Sequence, residues 1–264
     1  MEGRAVRGVV AGALCALTFY VARAAIVAET GQYALAQGQA KITSHLSLSN
    51  GSFGMQTLAL VQYPLHSKSP LTRYALTEDE IMHVVVVRDD FQTFGHLHPQ
   101  PSQSGTFRLP VLLERGHRYY AYVSSQPAGF PEQVFRFVLQ SGAATRNLTT
   151  TVRGPSIRVR EGPYDVFLDQ TRLHAMRKQS ITVDINRDPR SAGVAAPYHV
   201  AWVHAILINT SSLTYAHIDG ANARGICCEY VLAAPPLSKG LYKMWLQFDD
   251  GSSMYTAPFT FAAQ

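Results

Sequence analysis

A strand-turn-strand pattern occurs twice in this chain, and it constrains the fold more than any other feature. The first half contains "MHVVVVRDDFQTFGHLHP", with His83 and His96, and the second half contains "VHAILINTSSLTYAHIDG", with His204 and His217. The two histidines are thirteen residues apart in both copies. Similar segments, "RGHRYYAYV" and "KGLYKMWLQF", follow the two copies. A repeat unit of about a hundred residues predicts a duplicated domain and not an array of short repeats.

Short segments with period two, or rich in β-branched and aromatic residues, recur along the chain. They cover residues 57–63, 81–87, 106–113, 118–123, 133–139, 180–186, 203–209, 241–248 and 258–263. This pattern predicts an all-β fold of the antiparallel sandwich class. Only residues 168–179 look helical. A small, polar stretch at 141–156 predicts a domain boundary, with one β-sandwich domain at 25–145 and the second at 146–264.

Residues 1–24 have the composition of a secretory signal peptide. Arg4 and Arg7 precede an apolar run over residues 8–22, and small residues suited to cleavage follow. The apolar run is shorter than the roughly 20 residues of a bilayer-spanning helix, so we expect no stable transmembrane span after cleavage. Mitochondrial import is the alternative, because arginine outweighs acidic residues in this segment.

The signal segment predicts a secreted or lumenal protein, periplasmic in a bacterium, and the remaining composition is compatible with that location. Lys and Arg are scattered among acidic residues and the net charge is +5, a distribution that gives no basic patch for nucleic acid. Two cysteines beyond the signal segment are too few for a disulfide framework. Asn50, Asn147 and Asn209 begin N-glycosylation sequons, which predicts a glycoprotein if the source is eukaryotic.

The first copy of the repeat has the pattern of a metal site. A hairpin turn centred between Asp89 and Asp90 would place His83 directly opposite His96, with side-chain origins about 5 Å apart. His98 follows two residues later on the same face. Metal to nitrogen bonds are about 2 Å long, so three imidazoles in this arrangement can share one ion. Neutral imidazole suits copper, zinc, iron or nickel, and we expect copper first and zinc second.

The second copy repeats this geometry with one changed ligand. His204 is predicted opposite His217, and Asp219 takes the place of the third histidine. Two histidines and a carboxylate also form a metal-competent set. Cys227 and Cys228 are additional candidate ligands, since thiolates bind copper(I) and zinc. The structural alternative is that the histidines are packing residues with ordinary hydrogen bonds and that one of the cysteines belongs to the core.

These motifs resemble a family of secreted or periplasmic bacterial domains, often in tandem, known as copper- or heavy-metal-associated. The first unit of that family has a pattern like "MHLFVV..DL..F.HLHP" followed by "G.YR.Y.DF", and the second has "PYLGA.GHLV....DL.Y.HVHP". The resemblance covers roughly residues 75–140 and 180–262, and "HVHP" has become "HIDG" in the second unit. It implies two tandem immunoglobulin-like β-sandwich domains outside the cytoplasm, with a role in metal handling.

The sequence therefore predicts a non-catalytic protein that binds or delivers a transition metal. One alternative is a cell-surface or lumenal interaction protein that recognises another secreted or membrane protein and whose histidines are structural. A second alternative is a metal-dependent enzyme, which would need an open coordination position and a nearby acid or base.

Overall fold

The structure is a computed structural model that describes residues 27–35, 38–50, 55–77, 80–143, 152, 154–188, 202–222 and 228–264. Within these ranges the chain forms strands, turns and bends and contains no helix. The described residues of the first half form ten strands: β1 (Val27–Thr30), β2 (Gln32–Tyr33), β3 (Ile42–Asn50), β4 (Gln56–Pro64), β5 (Tyr74–Ala75), β6 (Met82–Arg88), β7 (Phe94–Leu97), β8 (Thr106–Val111), β9 (Arg118–Pro127) and β10 (Gln133–Gln140). Those of the second half form nine: β11 (Arg158–Glu161), β12 (Tyr164–Leu168), β13 (Arg172–Leu173), β14 (Gln179–Arg187), β15 (Trp202–Asn209), β16 (Tyr215–Asn222), β17 (Glu229–Ala234), β18 (Gly240–Asp249) and β19 (Met254–Ala263).

Each half of the chain forms a β-sandwich with the same strand order. In the first sandwich one layer is β1-β3-β4-β8 and the other is β2-β10-β9-β6-β7. In the second, β11-β12-β14-β17 and β16-β15-β18-β19 follow the same order, but β17 also pairs with β16, so both layers form one continuous sheet. The edge strand β13 differs from β2, because it follows β12 in the chain and pairs parallel with β19, whereas β2 pairs antiparallel with β10. Strands β3-β4-β8 and β10-β9-β6-β7 have the order A-B-E and G-F-C-C′ of immunoglobulin-like sandwiches. The predicted all-β, tandem immunoglobulin-like fold is confirmed.

A tyrosine at the start of the same strand in each sandwich fixes the preceding corner. The hydroxyl of Tyr119 accepts a hydrogen bond from the backbone N–H of Glu114 at 2.9 Å. The hydroxyl of Tyr242 donates to the carbonyl oxygen of Ser238 at 3.0 Å. Both tyrosines are buried. Such tyrosine corners are a feature of immunoglobulin-like domains, and their presence in both units supports the duplication.

Strands β6 and β15 bury both of their faces, which explains their nearly continuous apolar sequences. Met82, Val84 and Val86 point into the core of the first sandwich. Val85 and Val87 point the other way, into a separate core shared with the second sandwich. Besides these two valines, the buried residues of this shared core are Ala34, Phe91, Tyr122, Val134, Ile206, Ile208, Tyr215 and Trp245.

Aromatic stacking and hydrogen bonds join the two sandwiches across this shared core. The rings of Phe94 and Trp245 stack with centroids 4.8 Å apart, and those of Tyr122 and Tyr215 stack at 5.2 Å. The backbone N–H of Tyr215 donates to the carbonyl oxygen of Ala34 at 2.9 Å. The two sandwiches therefore present their β6 and β15 faces to each other, and residues on those faces lie in a common junction.

All nine predicted strand segments are strands in the structure, but the predicted helix is wrong. Residues 168–179 comprise the end of β12, the short strand β13, turns and the first residue of β14. Leu173 is the buried residue of this segment beyond β12, and one apolar contact is too little to stabilise an amphipathic helix. The centre of the predicted boundary at 141–156 lies outside the described residues, so its exact position stays a prediction.

Candidate metal centre at the junction of the two sandwiches

Five histidines from the two copies of the repeat converge at one end of the junction. We call this set the histidine cluster: His83 on β6, His96 on β7, His98 immediately after β7, His204 on β15 and His217 on β16. Ring centroids are 5.3 Å apart for His83 and His96, 4.9 Å for His83 and His98, and 4.6 Å for His96 and His98. Between the sandwiches, His83 lies 5.2 Å from His217 and His96 lies 5.1 Å from His204.

The predicted cross-strand register is wrong by two residues in both hairpins. His96 faces Val85, and His83 lies two residues before Val85 on β6. In the second copy, His217 faces Ile206, and His204 faces Asp219. A shift of two residues leaves every side chain on its predicted face because strand side chains alternate with period two. The histidines therefore meet as predicted, although His83 and His96 are diagonal neighbours and not a directly opposed pair.

Three histidines of the first copy form the tightest set of possible ligands. We call His83, His96 and His98 the trihistidine site. One nitrogen from each ring lies within 4.8 Å of the others, and within the described ranges no other group of three His, Cys, Asp or Glu residues meets this criterion. His204, His217 and Asp219 share a face but do not form such a set, and Asp219 is exposed. Two of the three predicted second-site ligands instead pack against the first site.

The backbone fixes the proton position on His83. Its Nε2 lies 2.9 Å from the carbonyl oxygen of Thr77. A carbonyl oxygen only accepts, so Nε2 carries the proton and donates it to this bond. In the tautomer that this bond selects, Nδ1 of His83 is an unprotonated acceptor. His83 is 2% exposed, and this hydrogen bond ties its ring to the chain that precedes β6.

A glutamine from the second sandwich fixes the proton position on His96. The Nδ1 of His96 lies 2.8 Å from Oε1 of Gln247, and Nε2 of His204 lies 2.9 Å from the same oxygen. The Nε2 of Gln247 donates to the hydroxyl of Thr256 at 3.2 Å, an arrangement that leaves Oε1 for the histidines. His96 therefore carries its proton on Nδ1, and its Nε2 is an unprotonated acceptor.

Two unprotonated nitrogens thus face each other in the trihistidine site. Nδ1 of His83 and Nε2 of His96 are 3.1 Å apart. In the tautomers set by Thr77 and Gln247, no proton lies between these atoms, and their lone pairs repel. An ion bound by both nitrogens at about 2.0–2.1 Å would hold them about 2.9 Å apart at a right angle and about 3.3 Å apart at a tetrahedral angle. The observed separation lies between these two values.

The third histidine makes the site accessible to solvent. The side chain of His98 is 30% exposed, and its Nδ1 lies 3.9 Å from Oε1 of Glu80. For His83 and His96, the nitrogen that faces away from the other ring of the pair meets an oxygen, the carbonyl of Thr77 and the amide of Gln247 respectively. Metal-binding histidines are commonly oriented by such oxygen partners.

Burial keeps His96 and His217 neutral. Desolvation is the main cause that lowers the pKa of His96 to about 2, and the neighbouring His204, His98 and His217 lower it further, against the opposing hydrogen bond to Gln247. Burial likewise lowers the pKa of His217 to about 4, with His83 as a further cause and Asp219 acting in the opposite direction. Neutral imidazole is the form that binds metals.

The other predicted site residues lie apart from the trihistidine site or outside the described residues. Cys228 is disulfide-bonded and so offers no free thiolate, whereas Cys227 lies outside the described residues. Asn147 also lies outside them, and Asn50 is exposed at the end of β3.

Asn209, the third predicted glycosylation acceptor, is buried in the structure. Its side chain is 1% exposed, and Nδ2 donates to the carbonyl oxygen of Lys239 at 3.3 Å. Its Oδ1 accepts from the backbone N–H groups of Ser211 and Ser212. Asn209 shapes the turn after β15, and in the folded protein it is not presented to solvent.

Sequence reasoning missed Gln247, Thr77 and the position of Glu80 beside His98. Gln247 faces His204 across β15 and β18, as Ser124 faces His83 across β6 and β9. An alignment of "YYAYVS" with "YKMWLQ" on the corner tyrosines would have placed Gln247 in the position of Ser124. The contact with His96 depends on how the sandwiches dock, and no local pattern indicates that contact.

Comparisons with known proteins supply a domain match but no activity. Among the described residues, no helix is long and apolar enough to cross a membrane. Residues 158–264 match the model "Domain of unknown function (DUF8832)". No curated protein matches the chain. Among solved structures, a two fibronectin type-III domain segment from chicken tenascin is 14% identical, with 83% of this chain and 97% of that chain covered and a TM-score of 0.23. The fold assignment rests on the strand order of the two sandwiches and not on this similarity.

Proposed function

We propose that this protein binds one transition-metal ion, copper or zinc, at the trihistidine site, and that it binds or delivers this ion without turnover. The observation that carries the proposal is the 3.1 Å separation of Nδ1 of His83 and Nε2 of His96, two nitrogens whose protons are both directed elsewhere. An ion placed between them would replace a repulsive contact with two coordinate bonds.

The surroundings of these nitrogens favour a metal site over ordinary packing. A packing histidine gains stability when a ring N–H meets an acceptor, because an unsatisfied buried polar group costs about 1–3 kcal/mol. Here both donors are used on the outer oxygens of Thr77 and Gln247, and the inner nitrogens meet each other. This is the arrangement expected of ligands oriented by their outer partners.

Export from the cytoplasm is part of the same proposal. It rests on the composition of residues 1–24, which lie outside the described residues. Metal analysis of the protein purified from its native compartment tests both parts together, because it reports the ion and the location.

A metal titration of the purified protein, freed of metal with a chelator, tests the binding site directly. We expect one equivalent of Cu(II) or Zn(II) to bind with a Kd below 1 μM, and a His83→Ala, His96→Ala double variant to lose at least a hundredfold in affinity. His45→Ala, His174→Ala is the matched control, since it removes two histidines that lie outside the cluster. Binding weaker than micromolar, or equal binding by both double variants, would overturn the proposal.

A further inference from the structure

A second feature of the junction is a pocket of about 250 Å³ beside strand β16. Strand β17 pairs with β16 only over Gly220–Asn222, and near Tyr215 the edge of β16 instead bridges to Leu35 of the first sandwich. The volume equals the share of roughly eight water molecules, enough for a small organic molecule. Ligand pockets occur preferentially at interfaces between domains. This pocket is of that kind, because both sandwiches contribute to its walls.

The walls of this pocket, which we call the junction pocket, are mainly apolar. They include Leu35 of the first sandwich and Pro235, Pro236 and Leu237, which follow β17. Among the described residues of the lining, Glu132 is the one acidic residue. An apolar body with a single polar group would complement this lining.

Glu132 is available to a cationic ligand. Its Oε1 accepts a hydrogen bond from the hydroxyl of Ser124 at 2.5 Å. Within the described ranges, it forms no ion pair with a Lys or Arg side chain. Glu132 is half-buried, and carboxylates are seldom removed from water without a paired charge. A cation in the junction pocket would supply that charge.

We propose that the junction pocket binds a small organic cation, a primary amine on an apolar body. The ammonium group donates to Glu132, and the apolar body contacts Leu35, Pro235 and Leu237. His217 also lines the pocket, and its ring lies 5.2 Å from that of His83, so the amine binds next to the histidine cluster without replacing one of its members. The pocket stands on its own observations and does not depend on metal binding.

Titration of the chelator-treated full chain with benzylamine, followed by backbone amide NMR, tests this proposal. We expect saturable shifts at Leu35, Ala216 and Leu237. Glu132→Gln should weaken benzylamine binding at least tenfold, and it retains an acceptor for Ser124. The neutral analogue benzyl alcohol should bind more weakly than benzylamine to the wild type and should change less than twofold in this variant.

Two further variants distinguish binding in the junction pocket from binding at another carboxylate on the surface. Leu35→Trp fills the junction pocket and should abolish binding of both probes, whereas Glu114→Gln, at a carboxylate that is 59% exposed, should change neither. The chelator-treated chain carries no metal ion, so a failure of the metal proposal does not affect this result. Absence of saturable binding to the wild type, shifts confined to other surfaces, or equal benzylamine affinity in Glu132→Gln would overturn the proposal.

Discussion

Replacement of Gln247 tests how the second sandwich prepares the metal site in the first. Gln247 is 4% exposed, and its Oε1 accepts from His96 at 2.8 Å and from His204 at 2.9 Å. In Gln247→Leu, His96 loses the acceptor that holds its proton on Nδ1. The proton can then occupy Nε2 and donate to Nδ1 of His83, 3.1 Å away. A metal ion must displace that proton, so in the leucine variant metal binding competes with the hydrogen bond between His96 and His83.

The magnitude follows from the role of Gln247 as an outer partner of a ligand. Loss of such a partner lowers metal affinity by about 10- to 100-fold, which corresponds to about 1.4–2.7 kcal/mol. His204 also loses an acceptor, and an unsatisfied buried donor costs about 1–3 kcal/mol. We therefore expect Gln247→Leu to lower the free energy of unfolding of the metal-free protein by that amount as well.

Gln247→Glu is the matched variant because it keeps an oxygen acceptor at the same place. Its carboxylate should hold the proton of His96 on Nδ1 and add negative charge near the ion, so zinc affinity should equal or exceed that of the wild type. Competition with a chromophoric zinc chelator measures both variants, and urea unfolding measures their stability. Unchanged zinc affinity in Gln247→Leu, or a large loss in Gln247→Glu, would refute this account of the site.

Two further predictions concern stability. Burial lowers the pKa of His96 to about 2 and that of His217 to about 4, from 6.5 in the unfolded chain, so unfolding takes up protons between these values. The stability of the metal-free protein should therefore be complete above about pH 6.5 and fall as the pH drops towards 4. Urea midpoints measured between pH 4 and 8 check this, and a midpoint independent of pH would contradict it. Trp245→Ala should lower the free energy of unfolding by about 3–5 kcal/mol, because Trp245 is 3% exposed in the shared core. Leu112→Ala, at a residue that is 72% exposed, should change it by less than about 0.5 kcal/mol. A loss in Trp245→Ala no larger than in Leu112→Ala would mean that the shared core does not stabilise the junction.

The strands and faces were predictable from sequence because they depend on alternation along the chain. His83, His96 and His98 share a face as predicted, and in the structure His83 and His204 alternate with residues that point into their sandwich cores. The register was not predictable because it depends on turn geometry. Phe91 and Leu213 occupy the hairpin turns with φ of 58° each, and neither residue type signals a left-handed position.

That the histidines of the two copies form one cluster was not predictable from the local sequence pattern. The sequence indicated two separate sites, whereas docking of the β6 and β15 faces brings His204 and His217 against the trihistidine site. The continuous apolar run at Val84–Val87 indicated that a second surface covers β6, because a strand that is apolar on both faces is covered on both. It did not identify the covering surface, so the contact between Gln247 and His96 emerged only from the fold.

The central claim is that His83 and His96 present two unprotonated nitrogens to one ion, and long-range ¹H–¹⁵N spectra of the imidazole rings test it most directly. In the metal-free protein we expect the proton of His83 on Nε2 and that of His96 on Nδ1. One equivalent of Zn(II) should shift Nδ1 of His83 and Nε2 of His96 while both protonated nitrogens keep their protons. A proton on Nε2 of His96 in the metal-free protein, together with spectra unchanged by Zn(II), would contradict the account.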